Sequence, residues 1–517
     1  MIEIHRVKNM VVKCNSFGLF GIDSYPVEVE VSLSRGIAAF DMVGLPDTAV
    51  KESRDRVRDA FKNCGFEFPV SRITVNLAPA DTKKEGPIYD LPIFVAFLIA
   101  TGNLSADISD CAFLGELSLS GEVRGINGVL PMTIKAKECG IKRLYVPASN
   151  ASEGAVVKGI EVYPVKSVYQ LFLHLKGIEH IKPAEPLPDS PVALQEIPDF
   201  AQVKGQYEVK RALEIAAAGG HNVLLIGPPG SGKSMLAKRM PAILPDMTFD
   251  ETIETTKVHS IAGTLPEGVS LIRTRPFRAP HHTVSPVALS GGGATVKPGE
   301  ISLANNGILF LDELPEFGRK TMEVLRQPLE DGTVTVSRAS GKYTYPCNIM
   351  LIAAMNPCPC GYFNHPTRDC TCSDTKIHRY LDRVSGPLLD RFDIHIEVPP
   401  VEYRDLSAKN SEESSADIKK RVDKARAVQT ERFKKSGTTC NARLTDSEFE
   451  KYCTLSNEGA KLLEGVFETM GLSARAYNRI LKVARTIADL DGSDTIETSH
   501  LAEAVQYRSL DRRYWNK

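Results

Sequence analysis

HNVLLIGPPGSGKSMLAKRM, residues 221–240, decides how the rest of this chain is read. The apolar run VLLI predicts a buried strand, and SMLAKRMPAIL after the turn predicts a helix. Between them Gly227-Pro228-Pro229-Gly230-Ser231-Gly232-Lys233-Ser234 matches G-x-x-x-x-G-K-[ST], with both flanks of the right kind. Glycines at such a turn let the backbone amides point inward at phosphate oxygens, and the helix start adds the positive end of its dipole. The motif assigns all eight residues to ATP binding, with Lys233 reaching the β- and γ-phosphates and Ser234 holding Mg2+. A chance glycine-rich turn is the competing reading, and the strand before it with the helix after it argues against that.

Three further segments carry chemistry. Gly307-Ile308-Leu309-Phe310-Leu311-Asp312-Glu313 is an apolar strand that ends in two adjacent carboxylates. A phosphate-cradling loop needs an Asp to hold Mg2+ and an acid to polarise the attacking water. Asp312 and Glu313 fit those roles in that order. NIMLIAAMNP (348–357) is a further strand, ending in Asn356. That residue reads either as the amide that orients the water or as a turn-forming Asn-Pro. In Gly386-Pro387-Leu388-Leu389-Asp390-Arg391-Phe392-Asp393, Arg391 reads either as a cation entering a neighbouring subunit's site or as half of an internal Arg–Asp pair.

The chain has 517 residues, 42% hydrophobic and 25% charged, with a formal net charge of −1. That length predicts about three domains. That charge balance offers no global basic field to nucleic acid, so any such contact needs a local patch. Leu91 to Ala100, the longest strongly apolar run, falls far short of the roughly 20 residues that span a bilayer. MIEIHRVKNMVVKCNSFG, at the start, has no extended apolar stretch and no small-residue cleavage site, so no secretory signal is expected. Eleven cysteines, an odd number and mostly scattered, speak for a reducing compartment, and a cytoplasmic location is expected.

KPAEPLPDSPVALQEIPDF (182–200) holds five prolines and predicts an extended linker. The expected domains are 1–178, a linker at 179–200, a strand–helix core at 201–404, and a region from 405 to 517. The last opens with the polar loop DLSAKNSEESSAD (405–417) and continues with helical periodicity. In the first domain VEVEVSL (27–33), ITVNLAP (73–79) and RLYVP (143–147) predict strands. DTAVKESRDRVRDAFKNCG there predicts an amphipathic helix ended by Gly65.

Together these segments resemble the AAA+ ATPases, and closely the magnesium-chelatase-like ComM/YifB family. The residues that carry the resemblance are FRAPHHTVSPVALSGGG (277–293), PGEISLANNGILFLDELPEF (298–317), LRQPLEDGTVTVSRA (325–339), AAMNPCPCGY (353–362) and ARAYNRILKVARTIADL (474–490), with GLPDTAVKESRDRVRDAF (44–61) near the start. The resemblance covers nearly the whole chain. It implies a multidomain α/β fold: an N-terminal Lon-protease-like (S5-type) α/β domain, an AAA+ P-loop αβα core with a parallel sheet, and a C-terminal helical lid. It implies a ring, a hexamer, with ATP between subunits. Arg391 then matches the family's finger position, and Arg475 the lid arginine called sensor 2, which contacts the γ-phosphate. Without the family, Arg475 reads as a solvated helix-face charge.

Two insertions carry over by the same resemblance. SGGGATVKPGE (290–300) falls where relatives insert a loop into the second helix. TVTVSRASGKYTY (333–345) alternates like a β-hairpin, with Ala339-Ser340-Gly341-Lys342 around its tip. In such rings these elements face the pore, where Arg338, Lys342 and Tyr343 would contact phosphates or stack on a base of bound DNA. The other reading is an ordinary surface hairpin with a basic tip.

Cys358, Cys360, Cys370 and Cys372 form a C-x-C-x9-C-x-C pattern. Four thiols this close would bind one tetrahedral Zn2+ and pin a loop that lacks its own core. That role is structural, because a site closed by four cysteines has no open position. Free thiols or an accessory disulfide are the alternative, and His365 inside the loop would be a substitute ligand. The adjacent His281 and His282 rarely converge on one ion and suggest a structural or ATP-coupling role.

In the N-terminal domain, TVNLAPADTKKEGPIYDLPIFVAFL resembles the segment that carries the nucleophile of Lon protease, and LSGEVRGINGVLPM the one that carries its lysine. The same fold occurs at the C-terminus of the recombination protein RadA. In Lon the serine follows Gly-Pro, whereas here Gly86-Pro87 is followed by Ile88, and Leu130 stands where Lon has its lysine. A Ser–Lys dyad needs both groups, so the domain is expected to be non-proteolytic, serving oligomerisation or substrate binding. Lys83 and Lys84 read as a solvated pair or as phosphate contacts. The resemblance ranks an ATP-driven DNA motor first, for branch migration or helicase action in recombination or natural transformation. A protein remodeller and a magnesium-chelatase-type ATPase subunit follow.

Overall fold

Alternating and uninterrupted apolar runs build two different sheets, one in each of the two units into which the chain's contacts divide it. The computed structural model describes residues 11–186, 197–401 except 267, 294, 339 and 340, 412–510 except 471 and 472, and 514–515. The first unit takes the described residues of Met1–Val192 together with Thr252–Ile272 and Thr335–Tyr345. The second takes those of Ala193–Glu251, Arg273–Val334 and Pro346–Lys517. Much of the proline-rich stretch, most of the polar loop after Pro400, and Ala339 and Ser340 at the hairpin tip lie outside the described residues.

In the first unit β1 (Val11–Phe20) and β2 (Asp23–Ser34) form an antiparallel hairpin. Its turn holds Gly21 at φ +63. With β3 (Ala39–Val43), β4 (Arg72–Ala78), β5 (Cys111–Phe113), β6 (Arg143–Pro147) and β7 (Glu161–Val165) they make a seven-stranded sheet in the order β3-β4-β2-β1-β5-β6-β7. Alternate residues of β2 and β4, Val27, Val29, Val31, Ile73, Val75 and Leu77, are buried, as period-two patterning requires. Helix α1 (Thr48–Asn63) starts where the Asp47 carboxylate accepts the Val50 amide at 2.8 Å. It buries Val50, Val57 and Phe61, and Gly65 follows it at φ +84. Helix α2 (Asp90–Ala100) is buried over Asp90–Leu98, which its apolar sequence allows. Asp90 at its start is fully buried and pairs with Arg56 at 2.6 Å.

The two excursions are bonded into this unit by side chains. Ser260, on the helix Phe249–Ala262, donates to the buried Glu153 carboxylate, which also accepts the Leu130 amide at 2.7 Å. In the hairpin of Thr333–Arg338 and Gly341–Pro346, the Tyr343 ring lies 4.6 Å from the Phe20 ring.

In the second unit α3 (Tyr207–Gly219) leads into β8 (Val223–Ile226). With β9 (Phe277–Arg278), β10 (Ile308–Leu311), β11 (Met350–Met355) and β12 (Ile394–Glu397), β8 forms an all-parallel sheet in the order β9-β10-β11-β8-β12. The central strands β8, β10 and β11 are buried along their whole length, which explains runs such as ILFL and MLIAAM without alternation. Helix α4 (Asp374–Leu381) comes between β11 and β12. The C-terminal part carries α5 (Ser415–Phe433), α6 (Ala474–Asp491) and α7 (Thr498–Gln506). The mixed α/β architecture with a parallel sheet is that of an AAA+ type core. Among the described residues no helix is long and apolar enough to cross a membrane.

Candidate functional site

In an open parallel sheet, ligands bind beyond the carboxyl ends of the strands. Gly227 follows β8 there, and a side chain at that position would meet the Val398 carbonyl at 2.3 Å, so only glycine fits. Gly230 and Gly232 take φ values of +79 and +91, the left-handed region that glycine enters without strain. The loop so shaped buries Lys233, whose Nζ donates to the Gly227 and Pro228 carbonyls at 2.8 and 2.9 Å and to Asn356 Oδ1 at 3.2 Å. Burial pulls the Lys233 ammonium down to about 8, against the opposing pull of Asp312. Ser231 Oγ is buried without a hydrogen-bond partner among the described residues.

The neighbouring strand ends complete the arrangement. Ser234 Oγ donates to Asp312 Oδ2 at 2.5 Å, so the hydroxyl and carboxylate assigned to one Mg2+ already converge. The cradle therefore fits the triphosphate and its metal: a buried ammonium held by loop carbonyls, an orphaned hydroxyl and a paired Ser and Asp. Glu313 is exposed, at φ +54, and its amide donates to Asp312 Oδ1 at 3.0 Å. His282 Nδ1 lies 3.5 Å from Glu313 Oε2, and its ring lies 4.1 Å from that of His281, tilted by 34°. This contact with the acid was not legible in the chain, because 30 residues separate the two. The adjacent histidines, with no metal use in view, were the available signal.

Arg391 and Arg475 sit elsewhere. Both line a cavity of about 200 Å3 with Asn222, Asp393, Arg479 and Lys482. Asn222 and Asp393 immediately precede β8 and β12, so this cavity lies at the amino ends of the strands whose carboxyl ends hold the phosphate cradle. Four-residue strands separate the two ends by about 13 Å. Arg475 is exposed, whereas Arg391 is buried and its guanidinium is ion-paired with Glu330, a partner other than the Asp expected from its own segment. Burial, together with the charges of Arg475 and Arg479, lowers the Arg391 pKa despite the Glu330 carboxylate. Asn222 fixes the backbone here: its Oδ1 accepts the Leu351 amide of β11 at 2.8 Å and its Nδ2 donates to the Arg391 carbonyl at 2.9 Å.

The four clustered cysteines converge. Cys358 Sγ is 3.3 Å from Cys360 Sγ and 3.7 Å from Cys370 Sγ, and all four ligand atoms, Cys372 included, lie within 4.8 Å of one another. None of the eleven cysteines forms a disulfide. His365 is not among the convergent groups. Its Nδ1 accepts the Thr367 and Arg368 amides in its own turn.

The hairpin residues divide. Arg338 and Lys342 are exposed, but Tyr343 is 8% exposed against Phe20, so in this structure its ring is not open to a base. Lys83 is exposed and pairs with Glu85 at 2.9 Å. Lys84 is instead buried, donating to the Pro79 and Thr82 carbonyls, and burial lowers its pKa, so the two are not a solvated pair. Ile88 and Leu130 are both buried.

Comparison with known families agrees with the geometry. Residues 199–406 match the family described as magnesium chelatase, subunit ChlI, residues 412–508 its C-terminal region, and residues 29–150 a family described as subunit ChlI of Mg-chelatase. The chain is 46% identical over 495 residues to a protein of Escherichia coli strain K12 named YifB and described as uncharacterized, covering 95% of this chain and 96% of that one. It is 46% identical over 497 residues to the competence protein ComM of Haemophilus influenzae, with the same coverage of 95% and 96%. It is 27% identical over 177 residues to the magnesium-chelatase 38 kDa subunit of Rhodobacter capsulatus, over 31% of this chain and 50% of that one.

Proposed function

This chain belongs to the magnesium-chelatase-like ComM/YifB family, and on that premise we propose that it is an ATP-hydrolysing ring motor that acts on DNA. The observation that carries the proposal is the division of the catalytic set between the two ends of one parallel sheet. Lys233, Ser234, Asp312, Glu313 and Asn356 gather at the carboxyl ends, and Arg391 and Arg475 near the amino ends. In this structure both arginines line the cavity at the amino ends, and neither is bonded to a residue of the cradle. Each subunit would therefore complete the site of its neighbour, which requires a closed ring, a hexamer by the family resemblance.

The proposed roles draw on this geometry. Lys233 moves from the loop carbonyls to the β- and γ-phosphates, and Asn356, already its partner, orients the attacking water. Glu313 takes the water's proton. Ser234 and Asp312 would hold Mg2+, which supplies neutralising charge between the phosphates. The neighbour's Arg391 and Arg475 stabilise charge on the γ-phosphate, Arg391 exchanging Glu330 for phosphate oxygen. The four cysteines would hold a structural Zn2+, for which thiolate ligands converging in this way are suited.

DNA as the substrate is supported by the ComM relative's name and by the exposed Arg338 and Lys342 on the hairpin. Branch migration or strand separation during recombination or natural transformation is the action this suggests. The N-terminal Lon-like domain would serve assembly or substrate binding, and the helices after Pro400 a lid. The test is ATP hydrolysis by purified protein, alone and with single-stranded, duplex or four-way-junction DNA, with Lys233→Ala as the blank. DNA is expected to stimulate hydrolysis and the blank to abolish it. Hydrolysis indifferent to every DNA would sink the DNA motor and turn attention to protein remodelling or a chelatase-type role.

The lowered Lys233 pKa adds a pH signature. The bound phosphates favour the ammonium, so its pKa rises in the complex. ATP affinity is thus full below about pH 8 and falls as pH rises above it, by up to about tenfold per unit. A nonhydrolysable analogue titrated between about pH 7 and 9 reads this directly. An affinity that stays flat over that range would contradict the assignment of Lys233.

A further inference from the structure

The loop that carries the four cysteines begins on Asn356. It leaves β11 through Asn356 and Pro357, and Cys358 is fully buried one residue later. It returns through Cys372 into α4, whose N-cap is Ser373. Tyr380 on that helix is buried. The first cysteine thus lies two residues beyond Asn356, whose side-chain oxygen accepts from Lys233 at 3.2 Å.

Between those ends the loop cannot hold itself together by packing. Residues 364 and 366–369 are exposed, and Cys358 is the only fully buried side chain between Pro357 and Ser373. What orders it is sulfur. The Sγ atoms of Cys358 and Cys360 lie 3.3 Å apart, and Cys370 Sγ lies 3.7 and 3.6 Å from them. Four thiols gathered this closely on one short loop suit thiolates that share a soft cation. The folded loop also abuts the phosphate cradle, since a Cβ at Gly361, whose φ is +84, would lie 2.3 Å from Pro229 Cδ.

We propose that a soft, tetrahedral divalent ion bound by Cys358, Cys360, Cys370 and Cys372 is the clamp that keeps Asn356 in catalytic register, so that metal loading governs the hydrolytic step and leaves nucleotide binding intact. The proposal rests on the ATPase reading above and on the cysteines as ligands. Its logic is positional. ATP is bound chiefly by the cradle backbone, Lys233 and Ser234, none of which lies in the loop. Asn356 acts on the attacking water, and its backbone joins the strand before it to the cysteine loop after it. Removing the ion frees the loop, and Asn356 loses the restraint on that side.

The test uses the full-length protein. Metal content is measured on the protein as purified. Zn2+ is then removed and Co2+ supplied, and the visible spectrum of tetrahedral cobalt thiolate is followed alongside kcat, KM and binding of a nonhydrolysable ATP analogue. The expected result is one ion per chain. Metal removal, or Cys370→Ser with Cys372→Ser, should lower kcat by about 10–100-fold with analogue binding changed little. Zn2+ or Co2+ should restore the metal-free wild type. Unchanged kcat after proven metal loss would overturn the clamp while leaving the metal site standing. Absence of any bound ion, or of a cobalt thiolate spectrum, would overturn the ligand reading. An inactive but metal-loaded wild type that binds no nucleotide would overturn the ATPase reading instead.

Discussion

Arg391→Ala is expected to lower ATP hydrolysis by roughly 10³–10⁵-fold while leaving nucleotide binding and folding nearly unchanged. The catalytic loss follows from removing the cation that meets charge developing on the γ-phosphate. Folding should survive because the partner left behind, Glu330, has a half-exposed side chain and regains water. The decisive form of the experiment mixes variants. Arg391→Ala subunits carry an intact cradle and Lys233→Ala subunits an intact finger. A ring assembled from both contains some interfaces in which the two intact halves meet. Phosphate release by the mixture should exceed that of either variant alone. No gain from mixing, in a sample shown to co-assemble, would rule out completion of the site by a neighbour.

Glu313→Gln should lower kcat by about 10²–10⁴-fold and leave ATP bound. Glutamine keeps the shape of the side chain and its reach towards His282, but it cannot take a proton. Glu313 is largely exposed, so the exchange relieves no buried charge and should not disturb stability. Lys233→Ala, in contrast, should lose binding as well as turnover. Single-turnover hydrolysis and analogue binding separate the two. Hydrolysis by Glu313→Gln within tenfold of the wild type would remove Glu313 from the role of general base and point to another acid.

The cradle was readable because its parts are consecutive in the chain. A strand, three glycines, a lysine and a serine occupy one stretch, and the same local order puts Asp312, Glu313 and Asn356 at the ends of apolar runs that can only be buried strands. The convergence of Cys358, Cys360, Cys370 and Cys372 was readable for the same reason. What was not readable depends on contacts between distant residues. Tyr343 looked like an exposed aromatic at a basic tip, yet it packs on Phe20, more than 300 positions earlier. Lys84 looked like a partner of Lys83, but the turn around it buries the ammonium under the Pro79 and Thr82 carbonyls. The expected strand–helix core at 201–404 takes in Thr252–Ile272, while the Ser260–Glu153 bond binds that segment into the first unit. No local pattern marks Asn222, a polar residue before a strand, as the support of the Arg391 backbone.

That last residue would give the proposed ring a direction. Strand β11 leads into Asn356, beside Lys233 of the phosphate cradle, and near its beginning the Leu351 amide donates to Asn222, which donates to the carbonyl of Arg391. In the proposed ring, a subunit wired in this way would listen at one end of a strand and speak at the other. The departure of its own γ-phosphate would be felt along that one strand by the arginine lent to the next subunit. Such a ring would fire as a relay, each turnover arming one neighbour, and one dead subunit would interrupt the circuit at a single, identifiable place.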